Sequence, residues 1–553
     1  MKRLYRTFKY AAVALLAVSL SNCTGELTTN SSTDVDESTI LSSTTGLNMS
    51  LTGSYKYLLL GESGAGSQND ACYAGVTGLC MGYDLLGSDI LSTKNYGGSV
   101  EDHYRFSEGR TQSSGDYAKR IWTNMYKIIN QVNTIIDALP EATGSDADKA
   151  TIKGQCLAMR GIAYFNLLLN YQQTYAIAKE KRGVILRLSS EDPDSMPFST
   201  VAEGYQRVVK DLQEAETLLA SFERNEEWRL NAEVATGYLA RVYQVMGDWK
   251  NALAQAKTVY DNHATLMTKT EWCSGFDNLI TDGCKEVVWG IKFTNLSNIS
   301  SNTEFNYWYN QDPSYGEGMT DGPIYAFINL FVDSKFVQLF DESDFRGSKC
   351  IKTEGVTDAD EKPVMFWHRT ANGNEETKAK WAYNKFKYYG DANGAPQGHT
   401  YPEFCYMRSA EMLLIMAEAE ANLNNPGTAL SYLNTLQNAR NVAQPTTSAD
   451  KNELLEAIYV ERRKELLGEG VTGMYDLMRL QKPLYRYAAT KEDPAGHFSL
   501  GLNFLDNYNP MDKAPYGYLP SNDYRFLYQI PQLEFTQNLE ISESQQNPFK
   551  GVN

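Results

Sequence analysis

The feature that most constrains this chain is a helical period that returns in pairs. Ile121, Trp122, Met125, Ile128, Ile129, Val132, Ile135 and Ile136 recur at three- and four-residue spacing. Such spacing draws one apolar stripe down a helix and marks an amphipathic helix over about 117–139. Pro140 ends it, because proline brings no N–H to the ladder. Cys156, Met159, Ile162, Ala163, Phe165, Leu167 and Leu169 predict a second helix over about 147–175, antiparallel to the first. The unit recurs at 201–222 with 231–246. Gly247-Asp248-Trp249 then turns the chain into a helix over 249–260. Segments 404–424 and 426–440 repeat it, with Pro426 at a first helical position. Segments 451–468 and 472–481 make the last pair.

Small residues fall where paired helices must approach, and large ones where a groove must be filled. Ala235, Gly237, Tyr238, Ala240 and Tyr243, followed by Ala252 and Ala256, resemble a tetratricopeptide repeat in this respect. The expected fold is predominantly α, with about four tetratricopeptide-like helical hairpins in a single domain over 41–553. Two stretches break the rhythm. Residues 60–112 and 263–400 are rich in Gly, Asn, Asp, Tyr and Trp and lack a sustained helical period. Long irregular insertions on a rigid scaffold are where binding sites concentrate, so any ligand platform is expected there.

The N-terminus carries an address. Lys2, Arg3, Arg6 and Lys9 precede Tyr10 to Leu20, an uncharged run of 11 residues. A membrane-spanning helix needs about 20, so this is the layout of a signal peptide over 1–22. Leu20-Ser21-Asn22-Cys23 resembles a bacterial lipobox, which makes Cys23 the acylated N-terminus of the mature chain. Each buried lipid CH2 contributes about 0.8 kcal/mol, so acylation anchors the chain to a membrane without crossing it. Residues 23–40 are polar, rich in Ser and Thr, and read as a flexible tether. Losing the four leader cations takes the formal charge from -17 to -21. So acidic a chain repels phosphates, which argues against nucleic-acid binding.

Export permits disulfides, and Cys72–Cys80 and Cys273–Cys284 are the two local pairs that spacing suggests. Cys156 and Cys405 sit in apolar helical patterns and read as buried thiols. Catalytic signatures are thin. Five scattered histidines make no HExxH motif, and neither a Walker A nor a dinucleotide fingerprint occurs. Gly78-Leu79-Cys80-Met81-Gly82 has the glycine spacing of a nucleophile elbow without its strand-to-helix setting. No catalytic residue, metal or cofactor is therefore expected, although 68 acidic residues leave a glycosidase carboxylate pair open.

Recognition chemistry is richer. Asn306, Tyr307, Trp308, Tyr309 and Asn310 form the densest aromatic cluster. In an extended segment Trp308 shares a face with both asparagines, since side chains alternate. A flat indole between two amides suits a sugar, the ring stacking on C–H groups and the amides reading hydroxyls. The same tryptophan also suits the core beneath the insertion. Tyr83, Asp84, Asp89, Asn95, Tyr96 and His103 are candidates in the first insertion, and Trp367 and Trp381 in the second. Asp84 and Asp89 suit turn or helix caps equally well.

Several motifs together resemble the SusD/RagB family from end to end. Arg160 with Tyr164 and Phe165 resembles its early Arg-x-x-x-Tyr/Phe helix. Arg408, Glu411, Leu413 and Ala417-Glu418-Ala419 are similar to its RxxEhxLhxAEA helix, followed by Asn434 and Ala439-Arg440. Glu461-Arg462-Arg463-Lys464-Glu465-Leu466 with Glu469-Gly470 resembles ERRxELxxEG. Tyr528-Gln529-Ile530-Pro531, Glu534, Asn538 and Gln546-Asn547-Pro548 resemble its C-terminal signature. The chain departs where Val471-Thr472-Gly473-Met474-Tyr475 lacks the arginine usual before Asp476-Leu477, which bears on one internal salt bridge. The motif charges read best as ion pairs between repeats. The resemblance implies a non-enzymatic, surface-exposed lipoprotein of the outer membrane. It would capture an oligosaccharide or glycan (peptides in some members) for a SusC-like TonB-dependent transporter. A tetratricopeptide scaffold for outer-membrane assembly and a surface glycosidase are the competing readings.

Overall fold

The computed structural model describes residues 37–61, 75–92, 104, 106, 113, 116–276, 278–292, 330–352, 381–383, 385, 386, 403–487 and 516–548. It opens on two helices, α1 (Glu37–Leu41) and α2 (Thr44–Leu60). Ser43 caps α2 by accepting the Gly46 N–H. Helix α1 begins within the last residues of the segment expected as a tether, the rest of which lies outside the described residues. Next come α3 (Val76–Leu85) and the strand β1 (Ile90–Ser92), both inside the expected irregular insertion.

The scaffold proper follows as α4 (Asp116–Ala138), α5 (Asp146–Tyr171), α6 (Val201–Leu218), α7 (Ala232–Met246) and α8 (Trp249–Asn262). Local chemistry sets their ends. Ser145 accepts the Asp148 N–H at the start of α5, and Thr200 with Glu203 forms a reciprocal capping box on α6. Asn231 caps α7, which ends on Gly247 in the left-handed conformation at φ 72°. Each helix packs on its neighbours in the chain, with α5 against both α4 and α6. Between α5 and α6 the buried Arg160 guanidinium grips Asp211 through two bonds of 2.8 and 2.9 Å.

The chain then leaves the scaffold. Strands β2 (Val287–Lys292), β3 (Leu330–Val332), β4 (Cys350–Lys352), β5 (Trp381–Tyr383) and β6 (Glu403–Arg408) precede α9 (Ser409–Asn422). The expected helix over 404–424 thus begins as a strand. Phe404, Cys405 and Tyr406 favour a pleated surface, and β6 is buried throughout against β2. Cys405 is a buried thiol as expected, but on a strand. Helix α9 packs on α8, so the scaffold resumes where it stopped. It continues through α10 (Pro426–Ala439), with Pro426 in its first turn, α11 (Lys451–Leu466) and α12 (Met474–Arg479). A last antiparallel pair, β7 (Leu484–Tyr487) with β8 (Tyr516–Leu519), precedes the short α13 (Gln532–Gln537).

The tail returns to the first hairpin. Asn547 donates to the carbonyls of Tyr171 and Tyr528, both at 2.7 Å, and accepts from Arg182 at 2.5 Å. Asn538 bonds the Met196 backbone in both directions. The C-terminal signature is thus a clasp. Cys273 and Cys284 are free thiols, which corrects the pairing expected from spacing. They pack instead on the small core around Trp272, Phe276 and Phe345, where Cys273 Sγ faces the Phe345 carbonyl. Cys80 is likewise free and buried, while Cys72 lies outside the described residues. Among the described residues no helix is long and apolar enough to cross a membrane.

Candidate ligand-binding face

Among the described residues, four antiparallel strand pairs mark where the chain leaves the helical scaffold and rejoins it. Ser92 at the end of β1 pairs with Leu330 at the start of β3. Lys292 at the end of β2 pairs with Glu403, Lys352 with Trp381, and Tyr487 with Tyr516. The register sets the departure point of the segment carrying Tyr96 beside the return point of the segment carrying Trp308. Tyr96, Asn306, Tyr307, Trp308, Tyr309 and Asn310 themselves lie outside the described residues, as do Cys23, Asn95, His103 and Trp367.

Other candidates are described, and their surroundings correct the expectation. Asp84, 1% exposed, accepts the Gly468 and Gly470 N–H groups at 2.8 and 3.2 Å and the Thr472 hydroxyl. Asp89 is buried against the Arg463 guanidinium at 2.5 and 2.9 Å. Both carboxylates face the Glu461–Gly470 motif and the turn after it, not solvent, because α3 and β1 fold back onto them. Burial pushes the Asp84 carboxyl up to about 7, against the donors from Thr472, Gly470 and Gly468. That value would suit acid–base chemistry, but the carboxyl is buried and already bonded to Gly468, Gly470 and Thr472. Tyr83 is core, its hydroxyl accepting from Asn170 at 2.7 Å, and Trp381 is half-buried in a small cluster with Val332 and Phe336.

Beneath the strand pairs lies a charge network that the sequence announced only as separate ion pairs. Arg346, Arg408, Arg440, Lys385 and Lys464 meet Asp344, Glu286, Glu461, Glu465 and Glu469, cation for anion, and all are buried. Arg408 bonds Glu286, reaches Glu465 at 3.0 Å and Glu469 at 2.6 Å. Glu465 also receives Arg346 at 2.9 Å and Arg440 at 2.9 and 3.0 Å. Burial alone would push the Glu465 carboxyl up; Arg440, Arg408 and Arg346 together outweigh it and hold it well below the usual range. Members come from the residue before β2, the end of β6, the Asp344–Lys349 turn, the residue after α10, α11 with the turn that follows it, and Lys385 two residues beyond β5, so the network fastens the roots of the second insertion to the scaffold. Lys385 and Arg346 carry no motif signal, and only the fold brings them in.

A parallel chain holds the repeats in register. Arg241 on α7 grips Glu411 on α9 at 2.6 and 2.7 Å, and Gln244 and Arg479 share Glu418 at 2.7 and 2.6 Å. Asp476, whose usual arginine is missing, is held by Arg462 at 2.9 Å and Arg479 at 2.7 Å. Among the described residues no cluster of His, Cys, Asp or Glu is arranged to hold a metal ion. The described surface does present aromatics: Tyr485, 42% exposed, stands opposite Tyr518 with ring centroids 5.2 Å apart. Alternation in Leu484–Tyr487 was the available sequence signal for that pair.

Comparison with known proteins agrees with this geometry. A model of the SusD family matches residues 285–549, and a second, described as starch-binding associating with outer membrane, matches 87–244. The chain belongs to the SusD/RagB family. A SusD-like protein P2 of Formosa agariphila is 23% identical over 411 residues, covering 69% of this chain and 76% of that protein. A SusD-like carbohydrate binding protein from Bacteroides vulgatus superposes with TM-score 0.71 at 25% identity, covering 92% of this chain and 99% of its own. A SusD superfamily protein from Bacteroides thetaiotaomicron shares the fold, with TM-score 0.68 at 24% identity and 92% of this chain covered. In SusD-family terms, the shared RxxE and ERRxEL motifs of this chain are its buried charge network, and the QNP ending is its clasp.

Proposed function

We propose that this chain is an outer-membrane surface lipoprotein that binds an oligosaccharide or glycan without turning it over and hands it to a SusC-like TonB-dependent transporter. The observation that carries the reading is the pairing of Ser92 with Leu330, which roots the Tyr96 segment and the Trp308 segment at one place in a SusD-family fold. Membership of a family whose second model is described as starch-binding and outer-membrane associating, and likeness to a solved carbohydrate binding protein, support the ligand class and the location. Cys23, lipidated, would supply the anchor. Titration calorimetry against a panel of soluble neutral oligosaccharides tests binding, with a reducing-sugar assay on the same mixtures to detect hydrolysis. Binding with no new reducing ends is expected; hydrolysis would make the chain a glycosidase. Metabolic labelling with a fatty-acid analogue should tag the wild type and not Cys23→Ala. Affinity purification from membranes should recover a large β-barrel protein; assembly factors alone would favour the scaffold reading.

A further inference from the structure

The 467–473 turn follows α11 and is gripped from two sides by residues far apart in the chain. Lys385, two residues beyond β5, donates to the carbonyls of Glu465 and Leu467, both at 2.8 Å, and to Glu469 Oε1 at 2.6 Å. Asp84, on the last turn of α3 and leading into β1, takes the N–H groups of Gly468 and Gly470 and the Thr472 hydroxyl. Leu467 O and Gly468 N belong to one peptide unit. That unit is planar and rigid, so an ammonium holds its carbonyl end and a carboxyl holds its amide end. Each charge polarises the peptide in the sense that strengthens the other's hydrogen bond.

Packing leaves little slack. Gly470 and Gly473 have φ of 76° and 52°, and a side chain on either would overlap Cys80, or Tyr83 and Asp84, on α3. A Cβ on Gly87 would come within 2.9 Å of Gly473 Cα. The Lys385 ammonium lies over the rings of Trp272, Phe276 and Phe386 at 5.1–5.5 Å, and the side chain is fully buried.

We propose that the 467–473 turn mechanically couples the strand pair β1/β3 to the strand pair β4/β5, with Asp84 and Lys385 as positioning residues acting through the Leu467–Gly468 peptide. A displacement at one insertion root is then transmitted to the other, although the two side chains bond different atoms. The proposal needs no ligand and stands apart from the glycan-binding reading.

Hydrogen exchange of the full-length protein, read by mass spectrometry, tests it. Lys385→Met should speed exchange at least fivefold not only at 381–386 but also at 84–92. Asp84→Ala should do the same at 381–386. Asp84→Asn, which keeps the acceptor for both N–H groups and a donor for Thr472, should restore protection at both ends. In the Asp84→Ala/Lys385→Met double variant, the acceleration should fall at least fivefold short of the product of the single effects. Where Lys385→Met fails to fold, Thr472→Val removes one bond of the grip and should still speed exchange at 381–386. Loosening confined to each variant's own end, or effects that simply multiply, would overturn the coupling.

Discussion

Arg408 on β6 and Glu465 on α11 meet at 3.0 Å with both side chains fully buried, and Glu465 receives two further guanidinium groups besides. Such an arrangement is held by balance. Removing one partner leaves the others charged and dry, which typically costs about 3–5 kcal/mol. Glu465→Gln should therefore lower the urea midpoint of unfolding sharply. Lys257→Ala, which deletes the exposed pair with Asp261, should leave it unchanged.

Asp84 makes stability fall as pH rises. Its carboxyl is raised from 3.8 to about 7 in the folded chain, so the folded state binds the proton more tightly. The resulting stabilisation is full below about pH 4 and is lost as pH climbs through 7. Asp84→Asn should flatten that part of the curve of chemical-denaturation free energy against pH. An unchanged slope between pH 4 and 7 would place the titration on another group.

His263 works in the same direction for a different reason. Nδ1 meets the Lys285 carbonyl at 2.7 Å and Nε2 meets Glu233 at 3.0 Å, so the site favours the protonated ring, in which both nitrogens donate. The hydrogen bond that Nε2 donates to Glu233 raises the imidazole above 6.5, against its partial burial. Its contribution is full below pH 6.5 and disappears as pH rises through the raised value. His263→Gln should destabilise at pH 6 and be nearly silent at pH 9. An NMR titration of the wild type should place the imidazole above 6.5.

Gly470 and Gly427 should respond oppositely to alanine. At Gly470 a Cβ meets the backbone of α3 and φ is 76°, so Gly470→Ala should abolish cooperative unfolding or lower the melting temperature by many degrees. Gly427 sits in the first turn of α10 with nothing within 4 Å of an added Cβ. There alanine should stabilise by up to about 1 kcal/mol, through the lost freedom of the unfolded chain.

Trp308→Ala tests the proposed platform. Stacking is worth about 0.5–1.5 kcal/mol beyond burial, and a central aromatic in an interface can contribute 2 or more. Affinity for whichever oligosaccharide binds should fall at least tenfold, about 1.4 kcal/mol, with the melting temperature nearly unchanged. A large loss of melting temperature would mark Trp308 as a core residue.

The scaffold was legible because its helices bury a stripe, and a stripe has a period. Ile121 to Ile136 announced α4, and Pro426 announced the start of α10. Helix α2 is harder to read: Leu47, Leu51, Tyr55 and Leu58 make its buried stripe, but Met49, Tyr57 and Leu60 lie off that stripe and Gly46 and Ser54 lie on it, so the contrast between faces is weak. Strand β6 was mistaken for helix because a fully buried strand is apolar on both faces and shows no alternation. Asp84 and Asp89 were drawn toward a ligand because polar residues beside glycines suggest a surface. Their partners, Thr472 and Arg463, sit almost four hundred positions away, beyond any local signal.

The seating of α8 directly on α9 has a consequence for how the chain is made. Helices α4 to α8 emerge from the ribosome as a continuous run and can stack in order. The flank of α8 that will receive α9 is finished while residues 263–408 are still being added. Loop-closure entropy grows only as about 1.5RT ln n, so the long detour adds little to the equilibrium balance; its effect is one of timing. An apolar flank waits uncovered through that interval, at 5–20 residues per second on the order of ten seconds or more. For an exported protein, that interval is a window in which a holding chaperone has a defined surface to grip, and truncations before residue 409 should be the ones that aggregate.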